Sequence, residues 1–453
     1  MDVVNPATGA HVETYDEHDE DDVEKALGRS VQAFEDWRTR PVRDREQLLA
    51  NAADVLRENK QEYAETMTRE MGKPISQAIG EIEKCAWVCD HYAEHASAYL
   101  EADHHPSPPG SAVKTEHEPL GPVLAVMPWN FPFLQVFRFA APYLTAGNVG
   151  ILKHASNVPG CALAIEEVFE EAGYPDNVFQ SLLIPSDLVD DLLTDSRVRA
   201  ATLTGSGPAG RAVAANAGDQ VKKTVLELGG SDPFVVLDDA DISAAAETGA
   251  WARNLNGGQS CIAAKRFIVH TDVYDEFLNS LTDEIDALIV GDPIDEATDV
   301  GPQAREDLME TLHEQVSTSV DAGATLVSGG EPLDREGAFY PPTILTDVTE
   351  GCPVDTEETF GPVATVYEVA DEEAAIAKAN DTQFGLGASI WTQDRDRGER
   401  LASQIDAGCV YVNQLVKSDP RVPFGGVKDS GYGRELSEAG IKEFVNRKTV
   451  WVE

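Results

Sequence analysis

Little in this 453-residue chain would cross-link it or anchor it. Six cysteines are scattered over the whole length, too few for a disulfide framework, and no CxxC pair gives the spacing of zinc ligands. No apolar run approaches the roughly 18 residues that cross a bilayer. Met1 to Pro6 lacks the basic and apolar leader of a secreted chain, so a cytoplasmic place is expected. Basic residues are scarce beside acidic ones, 35 Lys and Arg against 80 Asp and Glu for a net charge of −45. Lysine, at fourteen, is rarer than arginine. A surface this acidic repels nucleic acid and anionic lipid. The carboxylates lie along amphipathic segments, with only short clusters such as Asp16 to Asp22. A folded, halophilic protein of a high-salt cytoplasm is expected, since screening relieves self-repulsion there.

What is present is ordinary for a globular protein, at 42% hydrophobic and 25% charged residues. The length calls for two or three domains. Val23 to Trp37, Arg43 to Glu70 and Ile79 to Leu100 place apolar residues at helical spacing, with a break at Gly72, Lys73 and Pro74. Glu101 to Gly110, rich in proline, reads as a loop. From Gly121 short apolar runs alternate with helices: Pro122 to Val126, Val149 to Lys153, Asn177 to Leu183, Ala200 to Thr204 and Phe234 to Leu237. A second such region has strands near Arg266 to His270, Ala324 to Ser328, Ala364 to Val369 and Gly387 to Trp391. Parallel strands joined by helices, an α/β fold, are predicted. The β-rich end, Lys448 to Val452, is a place to pair with another subunit.

Four segments carry chemistry. Gly205-Ser206-Gly207-Pro208-Ala209-Gly210 fits GxGxxG between a strand and a helix, where glycines let backbone amides approach a phosphate at the positive helix end. Glu227 lies near the spacing at which an acidic residue would hold the ribose. Asn256-Gly257-Gly258-Gln259-Ser260-Cys261 sets a cysteine behind a small-residue turn, as a nucleophile requires, although a lone cysteine is more often simply buried. In Leu226-Glu227-Leu228-Gly229-Gly230 apolar flanks would raise a carboxyl toward the range of a general base. Pro128-Trp129-Asn130-Phe131-Pro132 fixes an amide that can donate to an oxyanion. Read structurally, the first three are a tight turn, a buried thiol and a strand-end glutamate, and the fourth is an aromatic turn.

In this order and spacing the four segments closely resemble the aldehyde dehydrogenase superfamily. The likeness runs from Asn5-Pro6-Ala7-Thr8-Gly9 to the last strand and includes Glu357-Glu358-Thr359-Phe360-Gly361-Pro362 and Pro423-Phe424-Gly425-Gly426-Val427-Lys428 with Ser430-Gly431. The resemblance implies a Rossmann-like cofactor domain (1–105 and 120–230), an α/β catalytic domain (231–427) and a small β oligomerisation extension (106–119 and 428–453). It implies a homodimer or homotetramer acting on a small-molecule aldehyde with NADP or NAD and no metal. Cys261 matches the nucleophile, Asn130 with the Cys261 amide the oxyanion hole, and Glu227 the base for the deacylating water, which removes it as ribose ligand. Trp129, Lys153, Gly205 and Ser206 match contacts to adenosine and pyrophosphate. Glu358, with Phe360 in its segment, matches the nicotinamide-ribose contact, and Leu228 a position near the nicotinamide.

Departures from the family pattern refine this. Many members carry a glutamate three residues after the lysine matching Lys153; here Ser156 stands there, so repulsion of a 2′-phosphate is gone and NADP⁺ is expected to be accepted. The chain looks most like the short succinate-semialdehyde dehydrogenases, whose carboxylate-binding arginine and serine match Arg138 and Ser418. Arg138 reads equally as one half of an ion pair. A second arginine of some members is replaced by Leu255, with Arg253 and Lys417 as nearby candidates and Arg266 as structural. Glutarate or 2-oxoglutarate semialdehyde therefore stays open as substrate. A CoA-acylating relative is the rival, against which Glu227 speaks. Ala263 stands where some relatives carry a second, redox-active cysteine.

Overall fold

A computed structural model describes residues 1–453. The chain opens with a two-stranded antiparallel pair, Asp2–Val4 and His11–Thr14, followed by four helices, Glu20–Trp37, Val42–Glu58, Lys60–Met71 and Ile75–Tyr99. Asp19 caps the first through a reciprocal capping box with Asp22. The expected single run Arg43 to Glu70 breaks at Asn59, whose φ and ψ of −102° and 12° leave the helix. Its two parts keep one apolar face, which is why periodicity alone did not mark the joint. The third helix stops at Gly72, φ 80°, where a side chain would run into Pro302.

One sheet is built from parallel strands in the spatial order Lys223–Glu227, Ala200–Thr204, Pro122–Met127, Val149–His154, Phe179–Ser181. The short strand Gly431–Tyr432 joins it antiparallel beside Lys223–Glu227. Helices cover both faces, and the largest apolar cluster fills the space between this sheet and the helices Val42–Glu58, Ile75–Tyr99 and Pro132–Thr145. A second sheet runs Thr325–Ser328, Thr343–Thr346, Val363–Val369, Ala264–His270, Asp232–Val236, Gly387–Trp391, Cys409–Val412, parallel except at its first pair. Thr343–Thr346 and Cys409–Val412 are four-residue strands between proline- and glycine-rich stretches, too short to leave a readable pattern in the sequence.

A third, antiparallel sheet joins Asp103–His105, Ala112–Pro119 and Val445–Val452. Glu101 to Gly110 is thus not wholly loop, because backbone pairing to Lys114 and its neighbours makes a strand of polar residues. The expected extension also divides. Residues 445–452 belong to it, but Gly431–Tyr432 pairs with the cofactor-side sheet, and Leu436, Ile441 and Phe444 sit in the main core. Val445–Val452 lies at the edge of its sheet, with Trp451 and Val452 each 55% exposed. No helix is long and apolar enough to cross a membrane.

Candidate active site

The motif residues gather because parallel strands end on the same side. Pro122–Met127 leads into Pro128 to Phe131, Val149–His154 ends at Lys153 and His154, Ala200–Thr204 runs into Gly205, and Lys223–Glu227 ends on Glu227. The carboxyl ends of such strands form the crevice where ligands bind open α/β sheets. Helix Gly207–Asp219 begins directly after Gly205 and Ser206, with Ser206 in extended conformation and making no side-chain cap. Its first-turn amides stay available to an anion. Gly210 packs so close to Leu228 that a Cβ there would meet the leucine's methyl groups, which is the close helix–strand approach that the third glycine permits. The Leu228 amide donates to the Ser430 carbonyl at 3.0 Å.

Lys153 is largely buried, yet its ammonium has only the Ser186 hydroxyl, at 3.3 Å, as a partner. Burial alone lowers its pKa, and no carboxylate lies close enough to oppose that. Ser156 is exposed at the same strand end. An unpaired cation beside an absent carboxylate suits a phosphate on the adenosine ribose. Trp129 stands edge-on to Phe360, ring centroids 5.7 Å apart. Glu358 is already engaged, accepting from the Gly230 amide at 3.0 Å and from Lys265 at 3.2 Å. The glycine turn, the free lysine and the aromatic pair fit a dinucleotide.

The nucleophile loop is fixed far more firmly. Asn256, Gly257 and Gly258 follow one another at φ 57°, 62° and 72°, a left-handed stretch that lifts the chain out of helix Ile242–Asn254. A side chain on Gly258 would strike the backbone of Gly361. Arg253, fully buried, donates to the carbonyls of Gly258 at 2.7 Å and Gly361 at 2.5 Å. Lys265 donates to the carbonyls of Ser260 and Cys261 at 2.9 and 2.8 Å. Gln259 bonds the Asn256 carbonyl and receives the Ala304 amide. Neither Arg253 nor Lys265 reaches substrate space, so the idea of Arg253 as a carboxylate ligand is corrected: its guanidinium holds backbone carbonyls. Arg266 likewise holds the carbonyls of Ser231, Lys378 and Ala379. Lys265 went unnoticed in the sequence, because a lysine four residues after a cysteine carries no signal of its own.

Asn130 donates through Nδ2 to the Gln259 carbonyl at 3.0 Å, and its own carbonyl accepts from Asn256 at 2.7 Å. An amide nitrogen carries two protons, so one remains for a further acceptor. The Cys261 amide has no backbone acceptor in the chain. Burial pushes the Cys261 thiol up to about 12, with Lys265 and Arg138 pulling it down and Glu358 and Asp232 pushing it up. Glu227 is buried and neither carboxylate oxygen has a partner. Burial, then Glu435, raises its pKa well above the usual range, against the pull of Arg138 and Arg434. Its Oε1 lies against Gly425, where a Cβ would come within 2.6 Å.

A cavity of about 420 Å³ opens onto Cys261 and is also lined by Arg138, Ser418, Lys84, Lys417 and Leu255. Glu227 is not among its walls. Arg138 faces both ways. It is buried, Nε donates to Glu435 at 2.6 Å, and the guanidinium carbon stands 4.2 Å over the Phe424 ring. The ion pair and the cavity position both hold. Ser418 is buried in the same wall, and Lys417 is exposed at it. Lys84, on helix Ile75–Tyr99, was missed: its place on the helix is fixed, but which cavity that face meets depends on tertiary packing.

These features set a half-buried cysteine between a glycine-lined strand-end crevice and a cation-lined cavity, and the chain belongs to the aldehyde dehydrogenase family, whose model matches residues 1–450. It is 52% identical over 449 residues to a Synechocystis sp. protein described as a probable succinate-semialdehyde dehydrogenase [NADP(+)], covering 99% of each chain. A succinate-semialdehyde dehydrogenase [NADP(+)] of Mycobacterium avium is 51% identical over 452 residues, covering 99% of this chain and 96% of the relative. The crystal structure of succinic semialdehyde dehydrogenase from Streptococcus pyogenes with NADP⁺ superposes with a TM-score of 0.97 at 37% identity, over 100% and 99% of the two chains.

Proposed function

We propose that the protein oxidises succinate semialdehyde to succinate with NADP⁺ and water. The observation that carries this reading is the joining of Cys261, Arg138 and Ser418 in one cavity lined by further cations. A terminal carboxylate seated on Arg138 and Ser418 gains charge-assisted hydrogen bonds that a neutral aldehyde lacks. The similar proteins named above support the same substrate and cofactor.

The Cys261 thiol gives up its proton to water in the cavity and the sulfur adds to the aldehyde carbon, while the Asn130 amide and the Cys261 backbone N–H receive the oxygen as its charge develops. When bound over Gly205, Ser206, Lys153 and Trp129, the oxidised cofactor supplies the two-electron acceptor of the reaction. Collapse of the alkoxide leaves a thioester on Cys261. Glu227, turned from Gly425 toward the acyl carbon, takes a proton from the attacking water, and the acid leaves with the thiol restored. Burial and Glu435 raise the pKa of the inward carboxyl, which strengthens it as a base, and contact with water lowers it again.

Steady-state rates with succinate, glutarate and 2-oxoglutarate semialdehydes and with butanal, each with NADP⁺ and NAD⁺, test the reading. We expect succinate semialdehyde with NADP⁺ to give the largest kcat/KM. A tenfold preference for NAD⁺, or for butanal, would refute it. The edge strand Val445–Val452 supports assembly with a second copy, which light scattering of the parent and of Trp451→Asp would test. The acidic surface supports a cytoplasm of high salt; stability that is equal with and without molar KCl would contradict that.

A further inference from the structure

The charges around the cavity are matched in pairs, with one inward exception. Arg138 is paired with Glu435, Glu81 is paired with Lys73 and accepts from the Phe133 and Leu134 amides, and Asp419 is paired with Arg421. Two cations of the lining have no carboxylate within ion-pair distance, Lys84 and Lys417. Lys417 is exposed and keeps its water. Lys84 is half-buried, with no hydrogen-bond acceptor or ion pair, and stands in the cavity wall among apolar neighbours such as Leu134 and Leu415. A half-buried ammonium without a partner has lost part of its hydration, which an anion entering the cavity would replace. No anion of this chain fills that place. In a chain with fourteen lysines among 453 residues, such a lysine is not an incidental surface charge.

We infer that Lys84 is a specificity-determining residue for the reaction: its ammonium, together with Arg138, receives the distal carboxylate of the aldehyde substrate. This rests on the carboxylated-aldehyde reading above. Arg138 alone offers a charge already offset by Glu435, so Lys84 supplies the net positive charge that binds an anion. Because Leu255 faces the same cavity as an apolar wall, selectivity for the acid end falls to the helix Ile75–Tyr99 on which Lys84 stands. Burial and the like charges of Arg138 and Lys417 bring the Lys84 pKa down to about 8, against the pull of Cys85 and Asp419. Its charge is therefore lost just above physiological pH.

Lys84→Met and Lys84→Arg, compared with the parent on succinate semialdehyde and butanal, decide the matter. Lys84→Met should lower the preference for succinate semialdehyde over butanal by about tenfold, chiefly through KM, and Lys84→Arg should keep most of it. Parent KM for succinate semialdehyde should climb above about pH 8 as Lys84 loses its proton. The KM for butanal should not follow. A parent without preference for the acid sinks the substrate reading and this inference with it. A parent with the preference and a Lys84→Met that retains it overturns the role of Lys84 alone. Equal losses on both aldehydes would make Lys84 a structural residue and overturn the inference as well.

Discussion

Two glycine-rich turns flank the reacting centre, and they are held in opposite ways. The turn Asn256 to Cys261 is tied down by Arg253, Lys265, Asn130 and Gln259, all bonded to its backbone carbonyls. The turn Gly205 to Gly210 has no side-chain cap, exposes Ser206, and is tied to the neighbouring strand only at its ends, by the Gly205 amide on the Glu227 carbonyl and by Gly210 against Leu228. If Cys261 is the nucleophile proposed above, the first turn holds its sulfur in place before substrate arrives, so its cost of ordering is met during folding. The second, on the function proposed above, would receive a cofactor that comes and goes, and a phosphate would order its free amides. Rigidity is concentrated where bonds are made.

The largest effect expected from breaking this division is at Glu227, which stands outside the clamp and must move. Glu227→Gln should slow steady-state turnover by about 10² to 10³ while leaving a burst of about one reduced cofactor per site, read by stopped-flow absorbance. Loss of the burst would place Glu227 in acylation instead. Next comes the clamp. Arg253→Met leaves the Gly258 carbonyl buried without a donor, and the Gly361 carbonyl with only the Val363 amide, and should cost about 2 to 4 kcal/mol in urea unfolding. Ser206→Ala in the open turn should change stability by less than about 0.5 kcal/mol. Equal costs would erase the contrast between the turns.

A smaller effect is expected from Ser156→Glu, which restores a carboxylate beside Lys153. It should lower kcat/KM for NADP⁺ by about ten- to a hundredfold and spare NAD⁺. Last, a Cys261 thiol at about 12 is protonated throughout the neutral range. In the cofactor-free protein its alkylation by iodoacetamide should quicken by about tenfold per pH unit up to pH 10, since only the thiolate reacts. A plateau near pH 8 would show that Lys265 and Arg138 outweigh burial.

The same contrast separates what the sequence makes legible from what it hides. Glycines at positive φ, prolines and strand ends are local, so both turns and the strand-to-helix junction at Gly205 can be read from the letters. The clamp cannot. Arg253 and Lys265 lie close to the motif in sequence, yet their bonds to Gly361 and Glu358 depend on how distant segments pack. Arg138 is a mixed case: its place eight residues after Asn130 was readable, and Glu435, nearly three hundred residues on, was not. Lys84 and the strand Gly431–Tyr432 were hidden for the same reason, for each gains its meaning only from segments far along the chain, the cavity wall at Leu415 to Ser418 for the one and Leu226 and Glu227 for the other.

A single guanidinium spans Gly258 and Gly361, and so makes one block of the sulfur-bearing loop and the stretch that carries Glu358 and Phe360. If the two lobes breathe to admit or release a dinucleotide, one end of the crevice can widen while the distance between the Cys261 thiol and the Glu358 carboxylate stays set. Exchange of the spent coenzyme then requires no dismantling of the machinery that will attack the next aldehyde.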